Sequence, residues 1–439
     1  MPASGGRGPS NDDQSTPAAD AARGAGATAG STPGSAGAAG GMVAVKNSSA
    51  LRRAIDNNQP GAPTTIDVQE SLVIDAQLEI NTTISITSTT GAALIGNASR
   101  LFFVQSGGSL WLETLVLTSG DAFGGDAAAV APSREWPWAN GGAVLAERGA
   151  HVTVRDCVLT QNRAFQGGAL FSNGGTLVVW GSEFRENSAS TSSGAGGGAV
   201  FVTRAGALVA TSTLFERNVA GLGGALAVAN DSSAALDDVS FLQNSAAVNG
   251  GALILTERAH ANLSRCSVMR NTASELGGGA HLKFGSALRA VDTTFDSNAA
   301  NNGFGGAIFA YTRCNVSCAR SRFLSNAAGW SGGAMLVWDR SAVELEACEF
   351  AHNAAPFNGG AIEAHSNCSL VDIGSRYVAN GARDGGASFL DEEPTFVSSW
   401  PLLVVDEPPD GPYRTHDRYS LWLSRPMILT GRMAVTRRG

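Results

Sequence analysis

Few residues in this chain have types and spacings suited to chemistry. Asp237 and Asp238 form the only adjacent aspartate pair of the central region. Cleaving a glycosidic bond takes two or three converging carboxylates, or a calcium site working with a basic side chain. Ser240 stands beside the pair, but no histidine or arginine-lysine motif accompanies it on neighbouring repeats, so it reads as a polar corner. His151 and His260 occupy equivalent positions four repeats apart. At one strand layer per repeat they are separated by roughly 19 Å and cannot share a substrate bond. No Cys or His pair has finger-like spacing with a second pair in register, so neither a metal nor a cofactor is expected. One set remains: Tyr311, Trp338 and His365 recur at a fixed interval, with Phe309 two residues before Tyr311. Rings repeated at layer spacing offer a ladder on which sugar rings or a partner's apolar side chains can stack.

What positions them is a repeat. Gly-Gly-Ala followed by an apolar residue recurs about every 27 residues, with triplets starting at Gly141, Gly167, Gly197, Gly223, Gly250, Gly278, Gly305, Gly332, Gly359 and Gly385, a period that marks a solenoid. A second beat places an aromatic or aliphatic residue three before an asparagine, as in Phe295/Asn298, Phe323/Asn326 and Phe350/Asn353. Within one unit, Met335/Val337 and Val343/Leu345 alternate with outward residues around the polar break Asp339-Arg340-Ser341. Three short period-2 runs separated by turns describe a coil of three strands, which stacks on its neighbours to bury a continuous core. The expectation is an all-β parallel β-helix.

The glycines, Gly305 and Gly306 among them, would keep each corner tight. Asn298, Asn326 and Asn353 would form an amide ladder along the stack. These are structural assignments. If the residue after each triplet points inward, the next and next-but-two point outward. The outer columns then carry Phe171, Phe201, Ile254, Phe309, Leu336 and Phe389 in one, and Tyr311, Trp338 and His365 in the other. His281 with Lys283 suggests a bulge that flips the register and turns Leu282 and Phe284 inward. A weaker candidate is the aromatic tip Trp136-Pro137-Trp138.

Gly-Gly-Ala-[Ile/Leu/Val] paired with Phe-x-x-Asn, from about Asn140 to Leu390, resembles the repeat of the polymorphic outer membrane proteins of chlamydiae. That resemblance implies a right-handed, pectin-lyase-like β-helix displayed outside the cell, where chlamydial members act as adhesins. It would map adhesion motifs onto Gly305-Gly306-Ala307-Ile308 and Phe323 to Asn326. It also places the chain in the extracellular space or at the cell surface or outer membrane, with a glycan or protein as partner.

Around the repeats, residues 1–41 are a Gly/Ala/Ser/Thr/Pro tail expected to be disordered. Residues 42–120 hold a helical cap, N-capped by Ser48 or Ser49, and first coils from near Thr64; 121–390 are the repeats, and 391–439 a C-terminal cap or irregular tail. No apolar stretch follows Met1, none is long enough to span a bilayer as a helix, and the last 49 residues are too few for a membrane barrel. The formal charge of −8, with Lys46 and Lys283 the only lysines, argues against a phosphate-binding surface, and no nucleic-acid partner is expected. Sequons occur at Asn47, Asn81, Asn97, Asn230, Asn262, Asn315 and Asn367. Cys157, Cys266 and Cys348 read as small buried hydrophobes, while Cys314 and Cys318 could close a local loop. The expectation is a non-catalytic binding or adhesion β-helix, with a polysaccharide lyase or glycoside hydrolase as alternative and a pure scaffold as a third.

Overall fold

The computed structural model describes residues 41–59, 64–123, 139–390, 395–399, 403–405 and 427–430. The N-terminal tail to residue 40, the Trp136-Pro137-Trp138 tip and most of the segment after Leu390 lie outside them. The described chain is a right-handed parallel β-solenoid of about 12 turns with almost no helix. Three long sheets of 15, 12 and 13 strands run along it, their strands paired in parallel with counterparts one coil away except Met427–Thr430, which pairs antiparallel with Thr395–Ser399. A fourth sheet of seven two- to five-residue strands, Arg163–Ala164 to Ala327–Ala328, follows the asparagine corner; its residues are too short and too alanine-rich to show a period-2 pattern. The sheet begins earlier than Thr64, because Met42–Val45 already pairs in parallel with Thr64–Val68. The single helix, Ser48–Asp56, buries Leu51 and Ile55 and is capped by the Asn47 side chain, which accepts from the Ala50 amide at 2.8 Å, rather than by a serine.

Each coil turns at its glycine pair. Gly305 has φ +67°, and a Cβ there would lie 2.3 Å from the Ile308 carbonyl oxygen; at Gly306 it would lie 2.2 Å from the Gly333 oxygen of the next coil. Left-handed backbone at the first glycine and contact between layers at the second leave no room for a side chain. Close by, where a Gly306 Cβ would also lie 2.6 Å from the Ala327 backbone, the asparagines form a ladder. The Asn298 Nδ2 donates to Asn326 Oδ1 at 3.0 Å and to the Val268 carbonyl at 2.8 Å, while its Oδ1 accepts from the Asn271 amide. Asn326 and Asn353 repeat the pattern with Asn353 and Asn380. Inside it the Phe-x-x-Asn aromatics stack, Phe295, Phe323 and Phe350 at centroid spacings of 4.9 and 4.6 Å.

All six cysteines are free and buried, so Cys314 and Cys318 do not close a loop. Four of them share corner columns with hydroxyl residues. The amides of Cys157, Cys266, Cys314 and Cys348 donate to Ser182, Thr293, Ser341 and Ser375 respectively, on the following coil. Cysteine therefore stands where serine or threonine also fits. Burial pushes the Cys157 thiol up to about 12, which leaves it an inert thiol.

The glycine run at Gly277-Gly278-Gly279 corrects the register read from sequence. Gly277, at φ +63°, is the turning residue and Gly279 takes the alanine place. His281 therefore pairs in unbroken register with Ile254 and Phe309. There is no bulge: Leu282 is buried, but Phe284 points out, 49% exposed.

Candidate functional site

The outer face of the 12-stranded sheet carries the candidate residues. On the strand Ile308–Tyr311, Ile308 and Ala310 point into the core, so Phe309 and Tyr311 face out. Parallel pairing without register shift then stacks Lys283, Tyr311 and Trp338 in one outer column and His281, Phe309, Leu336 and Glu363 in another. His365 extends the first, its amide donating to the Val337 carbonyl and its ring 5.9 Å from Trp338. A third column comes from the segment leading into each glycine pair. It contains Phe304, Trp330 and Phe357, with ring centroids 6.2 and 5.4 Å apart. Three successive coils thus present the rows Phe304–Phe309–Tyr311, Trp330–Leu336–Trp338 and Phe357–Glu363–His365.

The middle column is a floor rather than a surface, which corrects the expectation for Phe309. Phe309 is only 3% exposed, with the half-buried Phe304 ring 6.4 Å away; Leu336 is likewise buried. The exposed rings are those of the flanking columns, Tyr311, Trp338, Trp330 and Phe357. Tyr311 and Trp338 meet edge to face at 6.2 Å, and the Trp338 indole N–H donates to Ser366 at 3.0 Å.

Into this apolar floor the third row inserts a carboxylate. Glu363 is 1% exposed and occupies the place of Phe309 and Leu336. Its Oε1 lies 2.5 Å from His365 Nε2 and accepts from the Asn358 side-chain amide at 3.1 Å, while Oε2 is buried with no hydrogen-bond partner. His365 is the more exposed of the two and stands at the end of the aromatic column. A carboxylate bonded to one imidazole nitrogen fixes the ring and balances the charge that forms when the ring takes a proton. Neither Glu363 nor the third column was picked out from the sequence. The signal was present: once Phe309 and Leu336 are assigned to one outer column, Glu363 is the residue that breaks it.

Two coils before Trp338 the floor is polar again. His281 is 3% exposed, both ring nitrogens lack a partner, and burial pulls it down to about 3, so the imidazole is neutral. Lys283 beside it is half-buried, and desolvation lowers its affinity for a proton.

Other candidates fall elsewhere. Asp237 pairs with Arg265 and Asp238 with the Ser212 hydroxyl at a strand end, an ordinary ion-paired corner. His151 and His260 lie on the 15-stranded sheet. Asp372, whose carboxyl burial pushes up, is inside the coil and accepts from the Tyr377 hydroxyl at 2.7 Å, beyond reach of a ligand. Among the described residues no cluster of His, Cys, Asp and Glu is arranged to hold a metal, and no helix is long and apolar enough to cross a membrane.

No protein-family profile and no curated protein matches the chain, so the chlamydial resemblance gains no support from those comparisons. Solved structures do match. A mutant of the periplasmic alginate epimerase AlgG is 12% identical with a TM-score of 0.44, covering 82% of this chain and 84% of its own. A PL6 alginate lyase in complex with a trisaccharide is 12% identical with a TM-score of 0.33, covering 80% and 84%. The PL6 family alginate lyase AlyGC is 9% identical with a TM-score of 0.31, covering 80% and 79%. All three are named as alginate-acting enzymes, against the expectation of a non-catalytic chain. At these identities the likeness itself is one of fold.

Proposed function

We propose that this chain processes a polysaccharide on the outer face of its 12-stranded sheet, the lyase-or-hydrolase alternative of the sequence reading. The observation that carries this is the Glu363–His365 pair at the end of an exposed aromatic column. Tyr311 and Trp338 supply the platform for sugar rings. His365 is the catalytic residue of the proposal, giving or taking a proton at the bound sugar, and buried Glu363 is its positioning residue. The partner set beside Glu363 is an imidazole, an arrangement suited to proton transfer by the histidine. An extracellular or periplasmic location suits such a substrate.

The test is affinity electrophoresis in gels containing neutral or acidic polysaccharides. Tyr311→Ala/Trp338→Ala is expected to keep the parent's melting temperature and to lose about tenfold or more in affinity. A large fall in melting temperature would show that the rings are structural, and unchanged retardation would place the sugar elsewhere.

A further inference from the structure

We infer that Lys283, above the buried His281, is a binding site for an anionic substituent, a carboxylate or a sulfate, of the glycan on this face. The inference rests on the functional reading above and names the substrate class. Lys283 is in hydrogen-bonded register with Tyr311, so its side chain continues the Tyr311–Trp338–His365 column at its other end. From Asn173 to Trp338 that column is otherwise Asn, Thr, Ala, Thr, Tyr and Trp, and one of the chain's two lysines is placed there.

A cation at the rim of an apolar face is commonly neutralised by a neighbouring acid. Here Glu257 acts on Lys283 only electrostatically, and no ion pair or hydrogen bond engages the ammonium among the described residues; it lies over the Phe284 ring, 5.5 Å from its centroid. A partly desolvated ammonium with no direct ion-pair partner favours an arriving anion. Beneath it the floor carries His281 where adjacent coils carry Ile254 and Phe309. Two unpartnered ring nitrogens in a nearly fully buried side chain leave polar capacity at the same spot. Lys283 and His365 are three layers apart, roughly 14 Å. A chain laid along the column therefore reaches the charged site and the His365–Glu363 pair at once only if it is several sugars long.

Isothermal titration at low salt with matched oligomers of a uronan, a sulfated glycan and a neutral glucan tests this on the parent, Lys283→Gln and Lys283→Arg. The parent should prefer at least one anionic oligomer over the neutral one by about tenfold or more. Lys283→Gln should erase that preference, and Lys283→Arg should keep most of it. Preference for the uronan alone or the sulfated oligomer alone identifies the anion. Binding of the neutral oligomer that depends on Tyr311 and Trp338, with no anionic preference, would overturn the inference and leave the functional reading standing. A preference unchanged in Lys283→Gln would also overturn it. Binding of none of the three would overturn both.

Discussion

Glu363→Leu is expected to raise the melting temperature while abolishing turnover. The substitution puts at Glu363 the residue that Leu336 already places one layer away in the same column, so its shape fits the floor. It removes a buried carboxylate whose Oε2 has no partner, and an unsatisfied buried polar group costs about 1–3 kcal/mol. Each kcal/mol is worth about 2–4 °C at 150–250 residues and less in a longer chain, so this corresponds to a few degrees at most. The gain is reduced by the loss of the bonds from Asn358 and His365, so the rise should be small. Activity moves the other way, because His365 loses the group that holds its ring and balances its charge. Positioned acid–base groups contribute about 10²–10⁴-fold, and the loss should fall on kcat rather than KM, since the aromatic platform is untouched. Glu363→Asp should recover part of the activity, a rescue that a purely structural role would not give. A melting temperature several degrees lower would mean that Glu363 holds the coil together and is no functional residue.

Asn298→Leu should lower the melting temperature more than any change on the outer face. The side chain makes bonds in both directions along the stack, donating to Val268 and Asn326 and accepting from the Asn271 amide. Leucine strands several of these groups in a fully buried corner, at about 1–3 kcal/mol each. Coils contact only their neighbours, so the defect should weaken one layer interface and open the solenoid there. Thermal melts followed by circular dichroism decide it; an unchanged melt would show that the ladder is dispensable.

Most of the fold is legible in the sequence because the same geometry is solved about a dozen times. Each Gly-Gly and each Asn meets the same backbone demand, so repetition itself is the evidence, and the core residues follow by alternation. The exceptions occur where one coil departs from its neighbours. Gly277-Gly278-Gly279 offers two ways to choose a glycine pair, and only the pairing of His281 with Phe309 decides between them. Phe309 reads as a surface residue because alternation gives its direction but not how deeply its neighbours bury it. Glu363 is hidden for the same reason: alternation alone makes it an ordinary exposed acid. Its meaning comes from burial and from His365, two residues on along the same strand face.

The most direct test of the account is the fate of a polysaccharide panel, neutral and acidic, incubated with the parent and with Glu363→Leu and followed by product mass spectrometry and NMR. The account predicts that the parent alters the linkage or the sugar of at least one polysaccharide and that Glu363→Leu, equally well folded, binds it without altering it. Polysaccharide altered equally by both proteins, or bound by neither, would contradict it.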